Sequence, residues 1–185
     1  MEGENTVLYP IFLSLEGRRC VVVGAGKVAD RKARKLLQAR ADVIVIAPEV
    51  EPQIEGVASE IHRRPYEPGD LEGAFLAFAA TDSREVNAAV AREAEELGVP
   101  VNVADAPSEG NFALPSTLRR GRLQVAVSTG GASPTLARDV RKRLEGRFGP
   151  EWAGLVEEVG KARSAGQTNH ELEEEVGRCL SRLSG

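Results

Sequence analysis

The residues best suited to chemistry are two glycines one position apart, Gly24 and Gly26. They follow the apolar run Cys20–Val23 and open a charged stretch from about Val28 to Gln38. The run reads as a buried strand and the charged stretch as a helix. Together they form a cradle for a dinucleotide pyrophosphate. Glycine permits the tight turn, backbone N–H groups can approach the phosphates, and the helix N-terminus faces the negative charge. Gly24, Ala25, Gly26, Lys27 and Val28 are the candidate contacts. Ala29 stands where a third glycine would serve close helix–strand packing, and alanine is the smallest substitute. An ordinary strand-to-helix turn could need the same glycines for its backbone angles alone.

Two further positions bear on the nucleotide. In such folds a carboxylate about 20 residues past the turn often holds the ribose hydroxyls. Here the second strand ends at Ala47, and Pro48-Glu49 follows, so Glu49 either serves or is a solvated loop charge. No Arg or Lys occurs between that strand and Arg63, which leaves no clamp for a 2′-phosphate and favours NAD over NADP. Thr81-Asp82 ends a later strand, where ligands of open parallel sheets lie. These two residues either line the cofactor site or cap the next helix.

The elements that must position these groups alternate. Strands are expected at Cys20–Val23, Asp42–Ala47, more weakly Ser59–Arg63, then Gly73–Ala80 and Pro100–Ala104. The first helix is expected to turn Val28, Ala33, Leu36 and Leu37 to the sheet. A helix capped by Asp82 or Ser83 runs to Leu97, with Val86, Ala89, Val90, Ala94 and Leu97 on one face, and Gly98 closes it. This predicts an α/β fold: a Rossmann-like parallel sheet of order 3-2-1-4-5 with helices on both faces. After Pro107 the pattern changes. Strands at 112–118 and 122–128, with a turn at Arg119-Arg120-Gly121, precede a helix with Ser133 as N-cap and Pro134 as first residue. Helices near Pro150–Arg163 and Asn169–Arg182, separated by Gly166-Gln167-Thr168, complete the chain. The expected domains are a nucleotide-binding domain at 1–112, a small α+β segment at 113–146 and a helical segment at 147–185. A hairpin and short helices cannot bury a core alone, so they must dock on the first domain or on a second subunit.

Bulk composition excludes several classes. The 185 residues are 42% hydrophobic and 28% charged, ordinary for a soluble globular protein. Aromatic residues make up 4%, so the core must be aliphatic. A net charge of −4 argues against nucleic-acid binding. No apolar run reaches the ~20 residues of a membrane span, and Met1–Asn5 is unlike a basic leader. Two distant cysteines and two histidines make a metal cluster unexpected, with Cys20 read as a core thiol. The expected location is cytoplasmic.

Several blocks resemble one family. They are Tyr9–Ala29 (with Arg31-Lys32-Ala33), Val101–Pro107, Asn111–Pro115 and Val125–Arg138, the last containing Ser128-Thr129-Gly130-Gly131-Ala132-Ser133-Pro134. They occur in order over about residues 8–146. In this respect the chain is similar to the precorrin-2 dehydrogenase / sirohydrochlorin ferrochelatase family, which includes the N-terminal part of siroheme synthases. The resemblance implies NAD-dependent oxidation of precorrin-2 to sirohydrochlorin, with ferrous iron inserted afterwards in some members. It implies a homodimer whose dimerisation segment falls at about 113–145, and it places cofactor contacts on the Gly24–Ala29 loop and the Pro48–Glu49 turn. The family's key aspartate falls on Asp105. A carboxylate at a strand end can orient the macrocycle and accept a proton; an aspartate there can equally cap the turn into Ala106-Pro107. The carboxylate-rich substrate needs donors. Ser128, Thr129 and the N–H groups of Gly130 and Gly131 form the better anion-binding candidate. Arg138 leads the candidate arginines, with Arg119, Arg120, Arg122 and Arg141 beside it. The resemblance does not extend to a methyltransferase segment, and the scarcity of histidine fits a weak metal role. The competing interpretation is a non-catalytic NAD-binding regulatory module.

Overall fold

A computed structural model describes residues 8–166 and 168–183. Met1–Asn5, expected to be unlike a leader, and Gln167, expected between the last two helices, lie outside the described residues. The chain divides into two compact units, Leu8–Ala113 and the residues from Leu114 on.

The first unit carries β1 (Arg19–Val23), α1 (Lys27–Gln38), β2 (Asp42–Ile46), α2 (Pro52–Glu55), β3 (Glu60–His62), β4 (Leu76–Ala79), α3 (Arg84–Leu97) and β5 (Val101–Val103). A short 3-10 turn, Pro107–Glu109, follows. All pairings are parallel, in the order β3-β2-β1-β4-β5. This is the expected order. Val, Ile, Ala and Phe fill the strands because both faces are covered. On one face, Cys20, Val22, Val43, Val45 and Phe78 pack with Ala29, Ala33 and Leu36 of α1. On the other, Val21, Val23, Ile44, Ile46, Ala77 and Ala79 pack with Val90 and Ala94 of α3.

Several expectations shift. In α1 the buried stripe is Ala29, Lys32, Ala33 and Leu36, a clean i, i+3, i+4, i+7 set. Val28 and Leu37 lie one position off that stripe and are exposed. In α3 the buried residues are Asn87, Val90 and Ala94, and Leu97 is exposed. Ser83, not Asp82, caps α3, accepting the Val86 N–H at 3.3 Å. Gly98 closes α3 in the left-handed conformation, as expected. The strand expected from Gly73 begins only at Leu76, because Gly73 has φ 69° and belongs to a turn. Cys20 is fully buried, and burial pushes its thiol up to about 11.

The second unit carries the antiparallel pair β6 (Ser116–Arg120) and β7 (Leu123–Val127), then α4 (Pro134–Glu145), α5 (Trp152–Ser164) and α6 (Asn169–Leu183). The hairpin turn is Gly121-Arg122, not 119–121. Arg120 pairs with Leu123, and Gly121 supplies the positive φ of a two-residue hairpin loop. Ser133 caps α4 through the Leu136 N–H at 3.1 Å, with Pro134 as first residue.

Candidate functional site

The registers of the sheet bring four chain segments to one level. Val23 stands opposite both Ile46 and Ala79, and Ala79 stands opposite Val103. The residues that follow therefore leave the same edge of the sheet: Gly24, Ala47-Pro48, Ala80-Thr81 and Ala104-Asp105. The order changes direction at β1, with β2 on one side and β4 on the other. That switch point opens the crevice in which open α/β sheets bind ligands.

Gly24 is fixed by a close approach. Its φ is 112°, and a Cβ there would lie 2.4 Å from the Ala80 carbonyl oxygen. The Gly24 N–H donates to Ile46 O at 2.8 Å, and the Ala80 N–H donates to Val23 O at 2.8 Å. Gly26 differs. A Cβ there would meet nothing within 4 Å, so the space above the α1 N-terminus is open to a phosphate. Gly26 is the N-cap of α1 with no side chain to occupy the first amides. Ala29, in the third-glycine position, is fully buried against β1. Lys27, Val28, Pro48 and Glu49 are exposed around this opening, and Ala25 is buried beneath it. The donor set thus fits a dinucleotide pyrophosphate.

Asp105 leaves β5 two strands from the glycine turn, about 10 Å away at ordinary strand spacing. Its side chain is 37% exposed. Its Oδ1 accepts from Asn87 Nδ2 at 2.9 Å, and Arg84 Nε lies 4.0 Å from Oδ2. Arg84 in turn bonds Glu109. The following 3-10 turn has no side-chain cap, so Asp105 faces α3 rather than closing its own turn. Thr81 is half-buried; its Oγ1 bonds the Asn87 and Ser83 carbonyl oxygens. Asp82 is exposed.

The residues expected to hold substrate lie in the second unit. Ser128 is exposed, and its Oγ accepts the Gly130 N–H at 3.2 Å, which engages one of the proposed anion donors. The Thr129 hydroxyl donates to Ser133 O and accepts the Ser133 N–H, closing the loop. Gly130 and Gly131 have φ of 61° and 88°, with open space around both. Arg138 is exposed beside Asp139, 3.6 Å away. Arg120 is instead held within the fold, donating to the Phe148 carbonyl at 2.8 Å.

Two polar residues carry no motif that marks them in the sequence. Asn87 is fully buried in α3 and contacts both Thr81 and Asp105. Lys32 is 7% exposed on the sheet face of α1. Its ammonium donates to Asn102 Oδ1 at 2.5 Å and lies 5.1 Å from the Phe78 ring centre, and burial lowers it to about 8. The one signal is a polar residue on each apolar stripe: position 87 shares a face with Val90 and Ala94, and position 32 with Ala29 and Leu36. Among the described residues, one group could hold a metal ion, Glu158, Glu175 and Cys179 in the second unit. No described helix is long and apolar enough to cross a membrane.

A doubly wound parallel sheet with a glycine turn at its switch point defines a nucleotide-binding α/β protein. The family described as "Putative NAD(P)-binding" matches residues 11–116, more than half of the chain, and the chain belongs to that family. A second family, "Sirohaem biosynthesis protein central", matches residues 120–147. The siroheme synthase of Methylobacillus flagellatus is 43% identical over 178 residues, covering 90% of this chain and 38% of that protein. That of Chromobacterium violaceum is 48% identical over 141 residues, covering 74% and 30%. The chain thus spans about a third of the length of these curated relatives. A solved structure named SirC, precorrin-2 dehydrogenase, superposes with a TM-score of 0.76 at 26% identity, covering 96% of this chain and 99% of that one.

Proposed function

We propose that this chain oxidises precorrin-2 to sirohydrochlorin, with NAD as the oxidant. The reaction removes a hydride and a proton from the macrocycle. NAD, when bound, supplies the hydride acceptor. Gly24, Ala25, Gly26, Lys27 and Val28 would hold its pyrophosphate, and the Pro48–Glu49 turn would face its ribose, with Thr81 and Asp82 on the far side of the crevice. Asp105 would orient the macrocycle and take up the proton at its carboxylate. The observation that carries this reading is the common level of Gly24, Thr81 and Asp105 at one sheet edge. Similarity to siroheme synthases and to a precorrin-2 dehydrogenase supports the choice of substrate. A regulatory nucleotide sensor would have no need of a held carboxylate in that row.

The finer assignments belong to the same proposal. The hairpin and α4 form the dimerisation segment, about 113–146, of a homodimer, followed by the helical segment 147–185. Ser128, Thr129, Gly130 and Arg138 receive substrate carboxylates. The protein is cytoplasmic. Insertion of ferrous iron, as substrate, would draw on Asp105 again. A single preparation tests these points: NADH formation is followed with precorrin-2, then iron uptake with sirohydrochlorin. NADH without iron uptake defines a dehydrogenase alone. NAD binding without NADH formation would sink the enzyme reading.

A further inference from the structure

Asn87 sits fully buried on α3, on a face otherwise formed by Val90 and Ala94. A primary amide offers two N–H donors and an oxygen with two lone pairs, and burial requires that they be satisfied. All are satisfied here, on two different strand ends. Nδ2 donates to Thr81 O at 3.1 Å and to Asp105 Oδ1 at 2.9 Å. Oδ1 accepts the Thr81 N–H at 3.1 Å and faces the Thr81 hydroxyl at 2.8 Å. The Thr81 contacts fix which way the amide points. A flipped amide would set its oxygen against the Thr81 carbonyl and the Asp105 carboxylate, three acceptors together. Asn87 can therefore present only N–H to Asp105.

We propose that Asn87 is a positioning residue for Asp105. It holds Oδ1 and leaves Oδ2 as the oxygen offered to a ligand. This rests on the proposed role of Asp105 in proton removal. The other charged groups around the carboxylate are Arg84, 4.0 Å from Oδ2 and half-exposed, and Glu109, which bonds Arg84. The buried amide links Thr81 and Asp105, so it ties a cofactor-side residue to the proton acceptor.

The discriminating variant is Asn87→Asp, nearly isosteric with the native side chain. It keeps an acceptor towards Thr81 and sets a second carboxylate against Asp105. Two carboxylates at that distance repel, so the pair holds a shared proton to higher pH than a lone carboxylate would and has lost it by pH 8. The Asp105 13Cγ resonance is followed against pH in wild type and variant, and its midpoint rises by about one pH unit or more. With precorrin-2 at pH 8, kcat falls roughly 10- to 100-fold, while KM for NAD stays within about twofold. The deficit shrinks towards pH 5, where the shared proton restores a donor to Asp105. Asn87→Ala loses kcat without that acidic recovery and also melts lower, because Thr81 is left unpaired. An unmoved Asp105 midpoint in Asn87→Asp overturns the proposal, as does a moved midpoint with unchanged kcat. A wild-type chain that forms no NADH retracts the proposed function instead, and the resonance still decides whether the amide holds the carboxylate.

Discussion

The two units solve the burial problem differently. In Leu8–Ala113, three of the five strands, β1, β2 and β4, are buried on both faces, and α1 and α3 close the two sides. From Leu114 on, the buried apolar residues among those described are Leu118, Ala137 and Cys179. Leu123, Val125 and Val127 of the hairpin are only half-buried, and Leu114 and Leu136 are exposed. A two-stranded sheet is marginal by itself in water. The first unit buries a two-sided core of its own, while the second buries few apolar side chains among its described residues. The proposed nucleotide contacts thus lie on the unit with the larger core, and the proposed substrate and dimer assignments on the unit with the smaller one.

The sharpest test of this division removes chemistry from the first unit while leaving both folds intact. Asp105→Ala is expected to slow NADH formation from precorrin-2 by about 10²- to 10⁴-fold, the usual yield of a positioned proton acceptor. NAD titration of the variant should match wild type, since the glycine turn is untouched. Equal loss of NAD affinity and turnover would return Asp105 to a structural role.

A second comparison sets glycine against glycine. Gly24→Ala drives a Cβ to 2.4 Å from the Ala80 carbonyl at a φ of 112°; Gly24 cannot retreat without losing its bond to Ile46 of β2, nor Ala80 without losing its bond to Val23 of β1. A loss of about 3 kcal/mol and of NAD binding is expected. Gly130→Ala has only its φ of 61° to contend with, in open space, and should cost about 1 kcal/mol. Chemical denaturation of both variants measures the difference. Equal costs would mean that the close approach of the turn to β4 is not what demands glycine there.

Much of the first unit is legible in the sequence, because a parallel sheet leaves long apolar strands and a glycine turn marks its switch point. The strand order follows from alternation and crossover handedness, and the Ser133 cap and the buried Cys20 from local rules; those rules leave Ser83 and Asp82 as alternatives for the α3 cap. What is illegible depends on contacts between distant residues. Whether Lys32 is a surface charge or a buried one turns on Asn102, 70 residues away. Asn87 matters only because β4 and β5 end beside it. In the hairpin the turn falls at Gly121-Arg122 because strand register, not turn composition, decides where a short loop lies.

Lys32 makes that illegible part measurable. Its ordinary value of 10.5 is lowered to about 8 by burial. Below pH 8 it is charged in both folded and unfolded chains, and burial of the cation opposes folding in full. Between pH 8 and 10.5 the unfolded chain holds the proton and the folded chain does not, so stability rises with pH. Cys20 acts the other way, raised from 9.0 to about 11, so its contribution falls as pH rises through that range. Lys32→Met isolates the first effect. Wild-type stability minus variant stability should climb by on the order of 2 kcal/mol between pH 7.5 and 10.5. A flat difference would mean that the ammonium is not buried as described.

The smallest effect tests the comparison most directly, because one chemical change is made in both units. Ser83 caps α3 and Ser133 caps α4, each accepting the N–H three residues on. Each Ser→Ala variant removes one such bond and should cost about 1 kcal/mol. Amide hydrogen exchange tells where that cost falls. Ser83→Ala should lower protection in α3 regardless of protein concentration, since α3 packs within its own unit. If β6, β7 and α4 complete themselves against a second copy, Ser133→Ala should lower protection across 116–145 more at low concentration than at high, by mass action. Concentration-independent loss at both sites would sink the homodimer reading. A hairpin as well protected as β1 in dilute wild-type protein would also show that the second unit needs no partner.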